Sequence, residues 1–391
     1  MPAFISTVFR LALAQALLLT NGVTLIAING LAGKALAPQP WLATVPVTAY
    51  VVGAALTTLP ASFFMKRQGR RAGFMLGAGF GVAGALVGAL AVREGSFWLL
   101  CVATLLSGGY NAFGQYYRFA AADVASDAWR AKAISWVLAG GIAGGVLGPA
   151  AAGWSRDLLA PTYLASYLTL AVFAGVAWLL AWSLSIPRPA AGEQGGGGRP
   201  MGQIARQPVF LVAVLAAAIG YGVMNLLMAA TPLAMDICGL PFSDAAFVLQ
   251  WHVIGMFAPS FFTGSLIRRL GVLNVLLLGG VLMLACGAIA LSGVTLMHFW
   301  WALLLLGVGW NFLFIGGTTL LTEVYRPDEK AKVQGANDFL VFAVQMLSSF
   351  FSGVVITGPG WALLNQLALP LVGVTLVATG MLWWRQRQGR G

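Results

Sequence analysis

The stretch AGFMLGAGFGVAGALVGALAV, residues 72–92, contains no charged side chain and lies between Arg71 and Arg93. A run of about 20 apolar residues, wound as a helix, crosses the roughly 30 Å hydrocarbon core of a bilayer. Within lipid, only helices and closed barrels satisfy their own backbone hydrogen bonds. The stretch lacks the alternation of apolar and polar residues that marks a barrel strand. It therefore predicts a membrane-spanning helix.

Similar stretches fill the rest of the chain. Of its 391 residues, 59% are hydrophobic and 8% are charged, whereas a soluble domain carries about 25% charge. We therefore predict an all-α polytopic protein that resides in the lipid bilayer. Twelve spans are predicted, at residues 8–33, 41–64, 72–92, 96–121, 132–153, 161–185, 207–235, 242–267, 271–292, 297–322, 331–357 and 361–384.

The twelve spans divide into two sets of six. Residues 186–206 are rich in Gly and Pro, and they predict a cytoplasmic linker between an N-terminal six-helix bundle, 1–185, and a C-terminal one, 207–391. The two sets resemble each other at a constant offset of 200 residues, since Gly109-Tyr110-Asn111 matches Gly309-Trp310-Asn311. Such duplication is typical of transporters whose two bundles move around a central site.

The basic residues are distributed unevenly between the predicted loops. With both termini in the cytoplasm, only Lys34, Arg93 and Arg156 of the 22 Lys and Arg residues face the opposite side. This pattern predicts a multi-pass membrane protein with both termini in the cytoplasm, and the high Ala, Gly and Arg content suggests a bacterial source and therefore the inner membrane. The pattern also accounts for the net charge of +11 without a nucleic-acid partner.

Other function classes find little support in the sequence. The three cysteines are isolated from one another, which argues against a zinc ribbon or a disulfide framework. No Walker A sequence and no paired catalytic residues are present, so we expect neither ATP hydrolysis nor an enzyme. We expect no resident cofactor. A secondary transporter, either passive or ion-coupled, remains.

Two loops at equivalent positions carry a shared basic motif. The loop after span 2 reads Ser62-x-x-x-Lys66-Arg67-x-Gly69-Arg70-Arg71, and the loop after span 8 reads Gly264-x-x-x-Arg268-Arg269-x-Gly271. Both loops resemble the G-x-x-x-D-R-x-G-R-R signature of the major facilitator superfamily, although Lys66 stands in place of the usual Asp. The resemblance implies the major facilitator fold and alternating access. We expect these basic residues to form an inner gate with a carboxylate in span 11; the gating residues are Arg67, Arg70, Arg71, Arg268, Arg269 and Asp338.

Spans 7 and 8 carry the residues that suggest a metal cargo. Met224 and Met228 form an M-x-x-x-M pair in span 7, and His252 and Met256 form an H-x-x-x-M pair in span 8. Residues four apart share one helical face. At about 1.5 Å per residue, all four lie roughly 10–20 Å from the outer surface. Three thioethers and one imidazole suit a soft ion, and Cu(I) is the natural candidate.

Further soft donors lie nearer the outer side of the predicted membrane. These donors are expected to pass the metal inward as an outer relay. The relay residues are Met235, Cys238, Met297 and His298.

The two motifs of spans 7 and 8 resemble the signature of the CcoA-like copper importers, bacterial major facilitator proteins that supply copper for cytochrome oxidase assembly. The resemblance implies copper import, and the family's motif residues correspond by position to Met224, Met228, His252 and Met256. Copper is then the transported substrate, and cytoplasmic copper-accepting thiols are expected partners that would receive it. The wider family also resembles riboflavin transporters, in which these metal motifs are incomplete.

An organic substrate therefore stays open as an alternative. Amide and aromatic side chains interleave in span 4, where Asn111, Gln115 and Tyr116 would line a site for a flat ring, together with Asn311 of span 10. Tyr110, Trp310 and Gln345 add similar groups. Such a site would serve an importer of riboflavin or another small organic solute. Two further alternatives are a drug or metabolite exporter and a non-transporting membrane assembly factor for cytochrome oxidase.

Overall fold

The computed structural model describes residues 3–126, 129–186, 198–326 and 329–388, and these residues form helices joined by short connections. The helices of the first half are α1 Ala3–Leu36, α2 Val45–Gln68, α3 Arg70–Arg93, α4 Phe97–Gly114, α5 Tyr117–Val124, α6 Arg130–Ser155 and α7 Leu164–Trp182. A short 3-10 helix, Pro40–Leu42, precedes α2. The helices of the second half are α8 Met201–Ala205, α9 Pro208–Ile237, α10 Phe242–Phe257, α11 Ser260–Leu270, α12 Val272–Ser292, α13 Leu296–Leu321, α14 Lys330–Thr357 and α15 Trp361–Gln388.

Each of the twelve predicted spans coincides with a helix or with two consecutive helices. Among the described residues, ten helical segments are long and apolar enough to cross a membrane, and the pair α10 and α11 adds an eleventh. The 26-residue helix α6 occupies the place of the remaining predicted span. The prediction of an all-α polytopic fold is confirmed. Most of the predicted linker, residues 187–197, lies outside the described residues.

Packing groups the chain into two compact units. Unit 1 comprises Met1–Ala190 with Pro232–Val253, and unit 2 comprises Ala191–Thr231 with Ile254–Gly391. The sequence-based boundaries, 1–185 and 207–391, stay a prediction. The observed units differ from these predicted boundaries in one respect, because the α9–α10 turn belongs to unit 1. One boundary falls at Pro232 inside α9, where the ring removes a helical hydrogen bond.

Small residues bring the helices of unit 1 into close contact. A Cβ atom at Gly140 of α6 would meet the main-chain oxygen of Ala12 in α1. A Cβ atom at Gly108 of α4 would likewise meet the main-chain oxygen of Tyr50 in α2. Glycine at these positions lets two helix backbones approach closely, which is typical of packing between membrane helices.

The predicted eighth span is broken in unit 2. Helices α10 and α11 meet at an angle of 44° around Pro259, because proline lacks the amide hydrogen that would continue the helix. Asn311 of α13 stabilises the break. Its Nδ2 donates to the main-chain oxygen of Met256 and to Ser260 Oγ, each at 2.7 Å. Its Oδ1 accepts from Thr263 Oγ1 at 2.7 Å.

Candidate functional site

The four residues of the predicted metal site are all buried. Met224 and Met228 lie on one face of α9 in unit 2, and Met256 is the next-to-last residue of α10, in the same unit. His252 lies one turn earlier in α10, in the segment that packs with unit 1, and its side chain has no exposed surface. The metal assignment stays a prediction. Among the described residues, no three His, Cys, Asp or Glu side chains are grouped as metal ligands would be.

The predicted outer relay is divided between the two units. Met235 is fully buried and Cys238 is exposed, and both belong to unit 1. Met297 is exposed in unit 2, where Nδ1 of the neighbouring His298 lies 2.8 Å from Thr295 Oγ1. Although Cys238 is exposed, partial desolvation raises the pKa of its thiol, which disfavours the thiolate that binds metals. The relay stays a prediction.

The amide and aromatic residues of span 4 form a polar group in unit 1. Gln115 Nε2 donates to Asn111 Oδ1 at 3.1 Å, and the Tyr116 hydroxyl donates to the main-chain oxygen of Thr58 at 3.5 Å. Gln115 is exposed, while Asn111 and Tyr116 are half-buried. Helix α4 ends at Gly114 and α5 begins at Tyr117, so Gln115 and Tyr116 lie in the connection, and all three residues keep some exposed surface. They are therefore available to a ligand.

Asn311, the repeat partner of Asn111, has a different environment. It is 1% exposed, and its amide bonds within unit 2 at the break between α10 and α11. Its predicted role as a substrate-lining residue is untested. The observed contacts give it a structural role, because a buried amide with these partners has little capacity left for a ligand.

A cluster of aromatic rings surrounds Trp310 in unit 2. Trp310 and Phe314 stack with centroids 5.2 Å apart and planes 8° apart. Tyr221 meets both rings edge-on at 5.1 Å, and Phe257 lies 6.1 Å from Trp310. We call these four residues the Trp310 cluster. Trp310 Nε1 is buried and makes no hydrogen bond within the described residues, so it is a donor that a ligand could use.

Sequence reasoning identified Trp310 but missed the other three rings. The spacing of Trp310 and Phe314 was a usable signal, because residues four apart lie on one helical face. Tyr221 and Phe257 come from other helices, α9 and α10, and no local pattern indicates that they meet α13.

Asn225, between the two methionines of the M-x-x-x-M pair, connects α9 to α14. Its Nδ2 donates to the main-chain oxygen of Gln345 at 3.1 Å and to Ser348 Oγ at 3.2 Å. Sequence reasoning did not assign this contact. Interhelical amide bonds of this kind are common in membrane proteins, and this one fixes the face of α9 that carries Met224 and Met228.

The basic loop of the first half forms an ion pair within unit 1. Arg70 Nε and NH2 both lie 2.7 Å from Asp123 Oδ2, so α3 is joined to α5. Sequence reasoning had offered Asp338 as a carboxylate partner of the basic loop, with Asp123 and Glu323 in the same role. Asp338 is exposed and accepts from Asn337 Nδ2 at 3.2 Å. In the second loop, Arg268 donates to Ser265 Oγ at 2.9 Å. The predicted gating roles all stay predictions, and they concern Arg67, Arg70, Arg71, Arg268, Arg269 and Asp338.

A buried carboxylate anchors the described end of the linker on unit 2. Arg199 Nε and NH2 donate to the two Glu329 oxygens at 2.8 and 2.7 Å, and Arg199 N donates to Oε1 at 2.7 Å. Arg326 N adds a bond of 3.0 Å, and Lys332 Nζ donates to the Arg199 oxygen at 2.5 Å. These donors hold the pKa of the Glu329 carboxyl well below its usual range, with the Arg199 guanidinium as the main cause.

Among the described residues, ten helical segments and one bent pair are apolar enough to cross a bilayer, and several of these helices carry buried polar groups, which is typical of a membrane transporter. The family model of the Major Facilitator Superfamily matches residues 11–349. The chain therefore belongs to the Major Facilitator Superfamily.

Comparison with individual proteins agrees with this assignment. The chain is 42% identical over 370 residues to the riboflavin transporter RfnT of Brucella anthropi, covering 94% of this chain and 93% of that protein. It is 28% identical over 368 residues to the uncharacterized MFS-type transporter YdeG of Bacillus subtilis, covering 88% of this chain and 84% of that protein.

Solved structures show the same fold at low sequence identity. A D-xylose–proton symporter matches with a TM-score of 0.77 and 12% identity, covering 97% of this chain and 98% of that one. A bacterial homologue of the human lysosomal transporter Spinster matches with a TM-score of 0.73 and 14% identity, covering 99% of this chain and 97% of that one. These likenesses support the fold alone.

Proposed function

We propose that this protein imports riboflavin, or a closely similar flat heteroaromatic solute, across the bacterial inner membrane. The proposal rests first on the 42% identity to a riboflavin transporter over 94% of the chain. It reverses the order that the sequence alone favoured, in which copper came first and riboflavin second. The proposed orientation keeps both termini in the cytoplasm, in line with the distribution of Lys and Arg.

The observation that carries the proposal in this chain is the Trp310 cluster. Riboflavin has a flat ring system edged with carbonyl and imide groups, and a polyol tail. Aromatic side chains stack on such rings, and convergent polar groups fix their orientation. Trp310 contributes a buried indole N–H without a hydrogen-bond partner among the described residues. Tyr221, Phe257 and Phe314 are half-buried around it, so their outer faces are accessible.

Unit 1 offers a second set of groups that suits the same solute. Asn111, Gln115 and Tyr116 present amide and phenol groups at the break between α4 and α5. Amides donate and accept hydrogen bonds, which matches both the edge of a flavin ring and a polyol. We assign ring binding to the Trp310 cluster of unit 2, and the span-4 group of unit 1 is a separate candidate for hydrogen bonding.

Uptake of labelled riboflavin tests the proposal. The chain is expressed in riboflavin-auxotrophic bacteria that lack an importer, and uptake is compared at matched membrane abundance. Trp310→Phe keeps a ring and removes the N–H, so uptake should fall by about tenfold if one well-placed hydrogen bond is lost. Trp310→Ala should reduce it further. Absence of uptake with the unmodified protein would reject riboflavin as the substrate.

Trp361→Phe is the matched control. Trp361 in α15 is also buried with an unbonded Nε1 among the described residues, but it contacts Phe299 and is not part of the Trp310 cluster. This variant should transport as the unmodified protein does. If both tryptophan variants transport normally, the site assignment is wrong even though the substrate assignment survives.

Copper is the second candidate substrate. It is favoured by the complete set of motif residues in this chain and by the burial of His252, Met224, Met228 and Met256. Thioethers and an imidazole away from water suit a soft ion. Radioactive copper uptake in the same cells, with His252→Ala and Met228→Ala, tests it. Met283→Ala, a buried methionine of α12 outside both motifs, is the control. Copper uptake that is absent, or equal in all variants, would reject this candidate.

Two remaining alternatives are separated by purified protein in liposomes. A non-transporting assembly factor would show no flux of either solute. An exporter would confer resistance in cells and would move labelled solute out of them. Import of riboflavin by reconstituted protein is the outcome expected here.

A further inference from the structure

A cavity of about 600 Å³ lies in unit 1, at the end of α1 opposite its N-terminus. Three segments form its wall: the C-terminal end of α1, the α6–α7 connection, and the α9–α10 turn. We call it the α1–α10 cavity. Its volume falls in the range of roughly 300–1,000 Å³ that is typical of small-molecule sites. Neither the Trp310 cluster nor the residues of the metal motifs line it.

The cavity carries a net positive charge. Its charged lining residues are Lys34, Arg156 and Asp236, two cations and one anion. Lys34 Nζ and Asp236 Oδ2 are 2.7 Å apart and neutralise each other, while both side chains stay about half exposed. Tyr163 also lines the cavity, and a tyrosine hydroxyl is uncharged at neutral pH. Arg156 has its ion-pair partner, Asp157, outside the lining, so it is the one cation that no other lining residue balances.

Two aromatic rings hold Arg156 in position. Its guanidinium carbon lies 5.0 Å from the centroid of Phe242 and 5.8 Å from that of Tyr163. Its Nε is buried and makes no hydrogen bond within the described residues. Asp157 Oδ2 is 3.6 Å from this atom, which is too long for a hydrogen bond, and Asp157 is 69% exposed. The guanidinium is thus fixed in place with donors to spare.

Apart from Thr162, the remainder of the wall is apolar. Leu31, Pro232, Leu240, Pro241 and Ala245 line the cavity beside Phe242. A preformed pocket with apolar walls and one fixed cation selects ligands that combine an apolar body with a single negative charge. Arginine matches a carboxylate well, because its planar fork donates two parallel hydrogen bonds.

We propose that the α1–α10 cavity is a binding site for a small aromatic carboxylate, distinct from the transport site. The ring lies against Phe242 and the apolar wall, and the carboxylate accepts hydrogen bonds from Arg156. With the predicted orientation of the chain, the site opens to the extracytoplasmic side. Since its walls come from α1, α6 and the α9–α10 turn, a bound ligand connects that turn to α1 more firmly.

Binding to the purified full chain in detergent tests the site, with 2-naphthoate as the probe and 2-naphthylmethanol as its neutral counterpart. Calorimetric titration should show binding of the carboxylate and weaker binding of the alcohol. Arg156→Gln should weaken naphthoate binding by about tenfold or more, the loss expected for a charge-assisted hydrogen bond. Arg93→Gln removes an exposed cation from the next loop of unit 1, outside the cavity, and should leave binding unchanged.

A second variant protects the test against misfolding of Arg156→Gln. Ala35 lines the cavity and is exposed, so Ala35→Trp fills the space without disturbing the rings around Arg156. This variant should also abolish naphthoate binding. The proposal is overturned if naphthoate does not bind, if Ala35→Trp binds it normally, or if the neutral alcohol binds equally well. None of these outcomes depends on which solute the protein transports.

Discussion

Asn311 Nδ2 lies 2.7 Å from the main-chain oxygen of Met256, and this contact satisfies a carbonyl at the point where α10 ends. The same side chain binds Ser260 and Thr263 of α11. One amide of α13 therefore holds both sides of the break at Pro259. The break sets where α10 ends, one residue after Met256, and where α11 begins, so it fixes the position of Met256 within unit 2.

Replacing Asn311 with Ala should destabilise the protein. The change leaves the Met256 carbonyl and the Thr263 and Ser260 hydroxyls without this partner in a buried environment. Each buried polar group that loses its partner costs about 1–3 kcal/mol. The expected result is a lower midpoint of thermal unfolding for the purified protein, measured by tryptophan fluorescence in detergent.

The repeat supplies the control, Asn111→Ala. Asn111 is half-buried, and its Oδ1 accepts a hydrogen bond from Gln115 on the next turn of the same chain segment. The Asn111 amide does not stabilise a break like the one at Pro259. The midpoint of thermal unfolding of Asn111→Ala should therefore stay close to that of the unmodified protein. Equal loss of stability in the two variants would contradict the structural role given to Asn311.

These two asparagines also show how far the sequence can predict the structure. Hydropathy predicted the twelve spans, because the thickness of the bilayer sets the length of each one. The offset of 200 residues predicted that Asn111 and Asn311 are equivalent in position. It could not predict their different contacts, since Pro259 breaks the second-half helix next to Asn311, whereas α2, the equivalent of α10 and α11, is continuous and carries its proline at position 60.

For a related reason, the sequence could not predict the Trp310 cluster or the contacts of the linker. The rings of Tyr221, Phe257 and Trp310 come from three helices, and hydropathy does not indicate which helix faces meet. The arginine that pairs with Glu329 lies 130 residues away in the linker, where composition predicts only flexibility. Contacts of this kind depend on tertiary packing rather than on local pattern.

The contact of Gly140 with α1 gives the second prediction. Gly140→Ala places a methyl group against the main-chain oxygen of Ala12, and neither backbone can yield without moving a whole helix. Overpacking of this type costs about 1–3 kcal/mol. The variant should unfold at a lower temperature and should separate α6 from α1. Thermal unfolding of the purified protein measures the first effect, and cross-linking of cysteines placed on the two helices measures the second.

Gly153→Ala in the same helix is the matched control. A Cβ atom there has no neighbour within 4 Å. Alanine stabilises a helix by roughly 0.5–1 kcal/mol relative to glycine, so this variant should be equal to the unmodified protein or slightly more stable. A stability loss at position 153 that matched the loss at 140 would mean that helix propensity, rather than the approach to Ala12, explains the result.

Glu329 provides the third prediction, which concerns pH. Because Arg199 lowers the pKa of this carboxyl in the folded protein, the carboxyl binds protons less readily there than in the unfolded chain. Its contribution to stability is therefore complete above the unfolded pKa, about 4.3, and it is lost as the pH falls through the lower folded value. Glu329→Gln should lower the unfolding midpoint at pH 7, and the gap from the unmodified protein should narrow below about pH 4.

The exposed pair of Arg93 and Glu94 provides a control. It tests whether the loss of any negative charge changes stability as the loss of Glu329 does. Their atoms are 3.9 Å apart, and both side chains are mostly in solvent, at 72% and 60% exposure. Such pairs contribute little to stability, so Glu94→Gln should leave the unfolding midpoint unchanged at every pH. Arg199→Gln removes the other partner of Glu329 and should resemble Glu329→Gln at pH 7. If the Glu329→Gln gap were constant from pH 7 to pH 3, the ion pair would not be its cause, and lost packing around the linker would have to explain it.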